Sequence, residues 1–138
     1  MSDHPLLRGV DAITIPVPDL DQGLRFYRDQ LGHALLWRHD AIGQAALRMP
    51  DSDTEMVLTT ALDYAPNWLV TSVPAALRSV VAAGGRVLLD ATPIPVGTVG
   101  VVEDPFGNAL TVVDVSAGRY ATDDAGDVTG VDPPAQSE

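Results

Sequence analysis

Apolar positions along the chain follow two periods in alternation. From Val10 to Val17 they alternate residue by residue, with Ile13, Ile15 and Val17 on one face and Ala12, Thr14 and Pro16 on the other, which predicts a strand. Asp19 then offers an N-cap. Leu20, Leu24, Tyr27 and Leu31 follow at helical spacing, and Gly32 supplies a stop. Further strands are expected over 34–39, 42–49 and 55–60, with Pro50 and Asp51 in the last turn. The second half reads the same way. A short strand at 67–71 precedes Ser72 as a cap and Pro74 in the first helical turn, and Val73, Leu77, Val80 and Val81 form a helical stripe that Gly84-Gly85 ends. Strands at 86–90, 98–103 and 109–115 follow, the last two joined by the turn Asp104-Pro105-Phe106-Gly107-Asn108.

Laid on each other at an offset of 53, the halves match without a gap. Ala12 falls on Ala65, Val17 on Val70, Asp19 on Ser72, Leu24 on Leu77 and Arg25 on Arg78. Gly32 falls on Gly85, Leu35-Leu36 on Leu88-Leu89, and Asp51 on Asp104. The matches sit on caps, stops and core positions, so a duplicated βαβββ unit is the natural reading. The fold class is α+β, with an N-terminal segment at 1–9, one module over 10–62 and a second over 63–116.

Residues 117–138 differ in composition. They contain no Leu, Ile, Phe, Met or Trp and carry Asp123, Asp124, Asp127, Asp132 and Glu138 against Arg119 alone. Such a stretch has little apolar surface to offset its ordering entropy, so a flexible acidic tail is expected, with solvation favoured over partner binding as its role. Across the 138 residues, 19 acids face eight Arg and no Lys, giving a net charge of -11. That field repels phosphate backbones, so nucleic acid is excluded as a partner. No apolar run reaches the roughly 20 residues of a membrane span. No secretory signal is visible at the N-terminus, and a cytoplasmic location is expected. With no Cys, thiolate metal sites, disulfides and cysteine nucleophiles are ruled out.

Val17-Pro18-Asp19-Leu20 followed by Phe26-Tyr27-Arg28-Asp29-Gln30-Leu31-Gly32 resembles the opening of the vicinal-oxygen-chelate superfamily. That superfamily includes glyoxalase I, the bleomycin-resistance proteins and the extradiol dioxygenases. Ala82-Ala83-Gly84-Gly85 and the Asp-Pro-Phe-Gly-Asn turn resemble its closing half. The resemblance covers residues 10 to about 115. It implies tandem βαβββ modules whose mixed sheet curls around a cavity, commonly in a dimer. It also implies a metal held by His, Gln or Glu from the first and last strands of each module. Here those positions are Ala12, Leu58, Ala65 and Thr111, and alkyl groups have no lone pair to give a divalent ion.

Displaced ligands do not fill the gap. His4, His33 and His39 lack the spacing of a shared ligand face, and Glu55, three residues from Leu58, is expected to point away. No metal and no other cofactor is therefore expected. Asp19, Asp21, Asp51, Asp53, Asp63 and Asp104 read as turn and cap residues, and no nucleophile-elbow, P-loop or dinucleotide fingerprint occurs. What remains is a neutral cavity, with Thr14, Trp37, Leu58, Thr60, Asn67 and Thr111 as candidate ligand contacts. Trp68 is expected in the core, Trp37 at the pocket or its rim, and Tyr64 and Phe106 either over a groove or at the surface. The favoured reading is a metal-free protein of the bleomycin-resistance type, a homodimer sequestering a small hydrophobic or aromatic compound and so conferring antibiotic resistance. The alternatives are a superfamily enzyme (lyase, isomerase or dioxygenase) with non-standard ligands or none, and a regulatory module acting through its tail or dimer face.

Overall fold

A computed structural model of the chain describes residues 5–134. The N-terminal alternation forms β1 (Gly9–Pro16). Asp19 is extended, and its Oδ1 accepts from the Gln22 amide at 2.8 Å, starting α1 (Leu20–Leu24). That helix runs directly into a π-helical turn, Arg25–Gln30. β2 (Leu35–His39), β3 (Gln44–Met49) and β4 (Ser52–Thr59) complete the first module. The second has β5 (Ala65–Leu69), α2 (Val73–Ala82), β6 (Arg86–Ile94), β7 (Gly97–Glu103) and β8 (Ala109–Asp114).

The chain forms two compact units. One comprises residues 11–66 with 120–130, and the other is built on residues 67–119. In the first, the strand order is β2-β3-β4-β1, antiparallel except that β1 runs parallel to β4. In the second, the order β6-β7-β8-β5 repeats that plan, with β5 parallel to β8. These are the two βαβββ modules, α+β in class, that the periodicity implies.

Each sheet packs one face on its helix. In the first unit Leu20 and Leu24 meet Ala45, Leu47, Met56 and Leu58, with Ile15, Val17 and Tyr27 at the margin. In the second, Val73, Ala76 and Leu77 meet Val70, Val102 and Val112, with Trp68 and Val80 beside them. Trp68 thus takes the core role expected of it. Each large buried side chain contributes about 1.5–3 kcal/mol, far more than a helix this short gains from propensity.

The gapless offset between halves does not survive into three dimensions. The left-handed stop residue is Gly32 after the first helix and Gly84, not Gly85, after the second. Counted from the caps Asp19 and Ser72, the first helix therefore holds one more residue, which its π turn accommodates. The register then changes again. The β3–β4 hairpin turns between Met49 and Ser52, whereas β7 and β8 are joined by a longer loop between Glu103 and Ala109. Equivalent bonds, Val17 N–H to Thr59 O and Val70 N–H to Val113 O (both 2.9 Å), show that the last strands correspond at 54.

The described part of the expected flexible tail, residues 117–134, contains regular structure. Strands β9 (Arg119–Thr122) and β10 (Val128–Asp132) form a separate two-stranded hairpin. Its turn is fixed by Asp123, whose Oδ1 accepts from the amides of Ala125 (2.9 Å) and Asp127 (3.0 Å), while Gly126 supplies a φ of +88°. Composition concealed this because the turn-forming aspartates were counted only as charge. His4, with the rest of 1–4, and Glu138, with the rest of 135–138, lie outside the described residues.

Buried Asp114, 3% exposed, fastens the second helix to its sheet. Its Oδ2 accepts from the Val73 amide at 2.8 Å, and its Oδ1 from the Ser116 hydroxyl at 2.8 Å. Asp114→Ala leaves the Val73 donor without a partner in a buried setting and is expected to lower stability by about 2–3 kcal/mol. Ser72→Ala, which removes the half-buried bond from the Ala75 amide at the same helix start, is expected to cost about 1 kcal/mol. Urea unfolding of the two variants checks the order.

Candidate functional site

The helix packs against one side of each sheet, so ligand-directed residues belong on the other. In the first unit Ala12, Trp37, Ala46 and Val57 are buried together on that helix-free face. Thr14 shares the side of Ala12 and is 3% exposed, but its hydroxyl donates to Asp63 O at 2.6 Å, with Ala65 O at 3.1 Å. Its polarity therefore anchors the linker at the end of the module. Trp37 is 8% exposed, and its Nε1 donates to Glu55 Oε1 at 3.2 Å.

The strand register corrects two expectations. Parallel pairing sets Ala12 against Glu55 and Thr14 against Val57, so Glu55 and Val57 share the helix-free face. Leu58 is fully buried on the other side, against α1. Glu55 therefore points the way that Leu58 was expected to point. Thr60 leaves the set as well. It lines a polar cleft of about 640 Å³ with Asp19, Asp21, Arg25, Arg38 and Asp40, and its Oγ1 reaches only Gly43 O, at 3.5 Å. In that cleft Arg38 is held between Asp40 (2.8 Å) and Asp21 (3.0 Å).

In the second unit the expected pair does come together. Asn67 and Thr111 are register partners on β5 and β8, and Val101 stands opposite Thr111 on β7. All three are half-buried. Since Thr111 faces Asn67 as Val57 faces Thr14, the first module's counterpart of Thr111 is Val57. In neither unit do the strand positions that hold a metal in the superfamily offer a donor set. Ala12 and Val57 have no lone pair, nor does the side chain of Ala65, and Thr111 offers only a neutral hydroxyl. Among the described residues no three His, Asp or Glu converge on a common point. His33 Nδ1 lies 2.9 Å from Arg48 O, in a backbone contact. The residues present do not fit the superfamily metal.

Of the aspartates read as turn and cap residues from sequence, Asp19 and Asp104 take that role, while Asp21 lies within α1 and pairs with Arg38. Asp104 Oδ1 accepts from the amides of Phe106 (2.8 Å) and Asn108 (2.9 Å), and the Asn108 side chain and amide hold its carboxyl below the usual range. Bonds from Gln22 do the same for Asp19. Tyr64 and Phe106 are exposed. What sequence reading missed is Tyr120. Its ring lies 4.5 Å from Trp37 and 5.4 Å, edge-on, from His39, and Val128 packs beside it on the same face. Burial first, and then the Glu55 carboxylate, push the Tyr120 phenol above the usual tyrosine range. The available signal was a pair of short β-prone runs, Arg119–Thr122 and Val128–Asp132, flanking an Asp/Gly turn.

No helix among the described residues is long and apolar enough to cross a membrane. A family model described as a glyoxalase-like domain matches residues 12–113. None of the curated proteins matches the chain. Among solved structures, methylmalonyl-CoA epimerase from Mycobacterium tuberculosis superposes with a TM-score of 0.66 at 23% identity, over 83% of this chain and 92% of that one. A Streptomyces coelicolor methylmalonyl-CoA epimerase variant, in complex with 2-nitronate-propionyl-CoA, gives 0.62 at 22%, over 80% and 99%. A 4-hydroxymandelate synthase mutant from Streptomyces coelicolor gives 0.55 at 18%, over 80% of this chain and 39% of that one. At these identities the likeness is one of fold.

The Glu55–Tyr120 proximity makes a titration prediction. Glu55→Gln is expected to lower the Tyr120 pKa while leaving it above the ordinary value near 10, because burial, the larger cause, persists. Since the unfolded chain gives up this proton first, the tyrosine's stabilising contribution is full below about pH 10 and declines as pH rises through the folded value. Absorbance titration of the phenolate band, with and without Tyr120→Phe, reads both effects.

Proposed function

The chain belongs to the glyoxalase-like family of the vicinal-oxygen-chelate superfamily, and from that premise we propose that it binds a small apolar or aromatic molecule without the superfamily's metal. The observation that carries this reading is the make-up of the helix-free faces. Ala12, Ala46 and Val57 are apolar where a ligated ion would need imidazole or carboxylate. Trp37 offers a flat aromatic wall, and Asn67 with Thr111 offers a neutral hydrogen-bonding pair. Taken separately, each face offers apolar surface with few polar groups, as small-molecule sites commonly do. In this reading the protein sequesters its ligand in the manner of the bleomycin-resistance branch, and the net charge of -11 favours neutral or cationic compounds over anions.

A second reading, a superfamily enzyme working without the usual ion, is favoured by one observation. Glu55 lies on the same face as Ala12 and Val57, which Tyr120 covers, so a carboxylate stands on the proposed ligand surface where it could accept a substrate proton. Turnover abolished by Glu55→Gln would select this reading over plain sequestration.

The protein stripped of metal and refilled separately with Fe(II), Mn(II), Ni(II) and Zn(II), then desalted, is expected to retain none near one ion per chain by elemental mass spectrometry. It is also expected to bind N-phenylnaphthylamine equally well before and after stripping, read by the dye's fluorescence. Stoichiometric retention of an ion, or dye binding that requires one, overturns the metal-free reading.

A further inference from the structure

We propose that the β9–β10 hairpin is a displaceable lid on the helix-free face of the first unit, and that Tyr120 occupies the slot a planar aromatic ligand takes when the hairpin lifts. The inference rests on the reading of that face as the ligand surface, and it adds both a regulatory element and a ligand class.

Three observations carry it. The first is occupancy. Tyr120 lies tilted at 54° over Trp37 with its centroid 4.5 Å away, His39 closes one edge at 5.4 Å, and Val128 completes the cover. Beneath them Ala12 and Ala46 are 4% and 0% exposed, and these small side chains give the slot its depth. Lifting the hairpin uncovers an apolar floor with an indole wall, shaped for one flat ring.

The second is the slenderness of the attachment. The hairpin is a sheet of its own, and its backbone meets β2 at an isolated parallel bridge between Arg38 and Asp127, where the Arg38 amide donates to Gly126 O at 2.8 Å. A two-stranded ribbon is marginal by itself, and segments with few buried contacts open at low free-energy cost.

The third is that the bonds closing the hairpin's turn lie within the hairpin and not against the face. Asp123 closes the turn through its own side chain, and its amide donates to Asp127 O at 3.0 Å. Lifting the hairpin therefore breaks none of the turn's own hydrogen bonds. Glu55 stands at the slot as an acceptor on the same face. Together with the Trp37 wall it selects a flat aromatic carrying a hydroxyl or amine donor and no negative charge. While the lid is shut, such a ligand's apparent affinity falls by the fraction of molecules that are open.

The test uses the full chain and N-phenylnaphthylamine, a neutral aromatic amine. Because the sequence has no Cys, Arg38→Cys with Asp127→Cys introduces a single thiol pair across the bridge. Oxidation is expected to lock the lid and weaken dye binding at least about tenfold, with reduction restoring it. Tyr120→Ala is expected to tighten dye binding about fivefold or more relative to the unaltered chain. Amide exchange followed by NMR adds a readout that needs no ligand, since the Arg38 N–H is expected to exchange faster than the amides of β3. Dye binding that is indifferent both to oxidation and to Tyr120→Ala overturns the lid while leaving the binding reading intact, and so does an Arg38 amide as protected as β3. If neither the unaltered chain, the reduced pair nor Tyr120→Ala binds the dye, the face is not the ligand surface and both readings fall.

Discussion

Parallel pairing of the first strand with the last, β1 with β4 and β5 with β8, determines which side chains each sheet shows to its helix and which it turns away. Side chains alternate along a strand with a period of two, so a slip of one residue exchanges the whole set. In the first unit the register puts Leu58 under α1 and Val57 on the helix-free face. A slip would drive Glu55 under the helix and draw Leu58 out of the core. The hydrogen bonds from Val17 to Thr59 and from Val70 to Val113 lock both pairings where the chain leaves the strand for its helix. The helix caps at Asp19 and Ser72 lie two residues farther on and inherit that position.

Most of the fold was readable because it rests on local rules. Alternation marked β1, helical spacing marked most of each helix stripe although its last members, Leu31 and Val81, are exposed, and Asp19, Ser72 and the Asp104 turn announced themselves by residue type. The site was less readable because it depends on non-local phase. Treating the halves as a gapless repeat carried Thr111 onto Leu58, whereas the backbone carries it onto Val57. One added residue in the π turn and a tighter β3–β4 connection produce the difference. Neither leaves a mark in hydropathy. Asn67 and Thr111, each expected on the ligand-directed face, are register partners within the second module. The C-terminal hairpin was hidden for another reason. It has few large apolar residues and borrows its burial from Trp37, so composition alone made it look like solvated chain.

The chain's acidity also reads differently once its partners are seen. Asp19, Asp104, Asp114 and Asp123 each accept backbone amides, at a helix start, a hairpin loop, a helix anchor and the tail turn. Carboxylates used this way replace main-chain acceptors that the local backbone cannot provide. Part of the negative charge is thus a by-product of how turns and helix starts are closed. Glu55 stands apart from them. It meets an indole and lies near a phenol, in a setting where a charge influences what else is admitted.

The π turn has an evolutionary corollary. Two halves descended from one ancestral unit would at first have been exchangeable cassettes, able to trade places by recombination. With one more residue between cap and stop in the first helix, and a shorter connection between its last two strands, the halves now run out of phase with each other. A crossover inside either helix would rotate every later strand of the hybrid relative to its core. The halves thus no longer share one backbone phase, and the Trp37 face of one differs from the Asn67–Thr111 pair of the other.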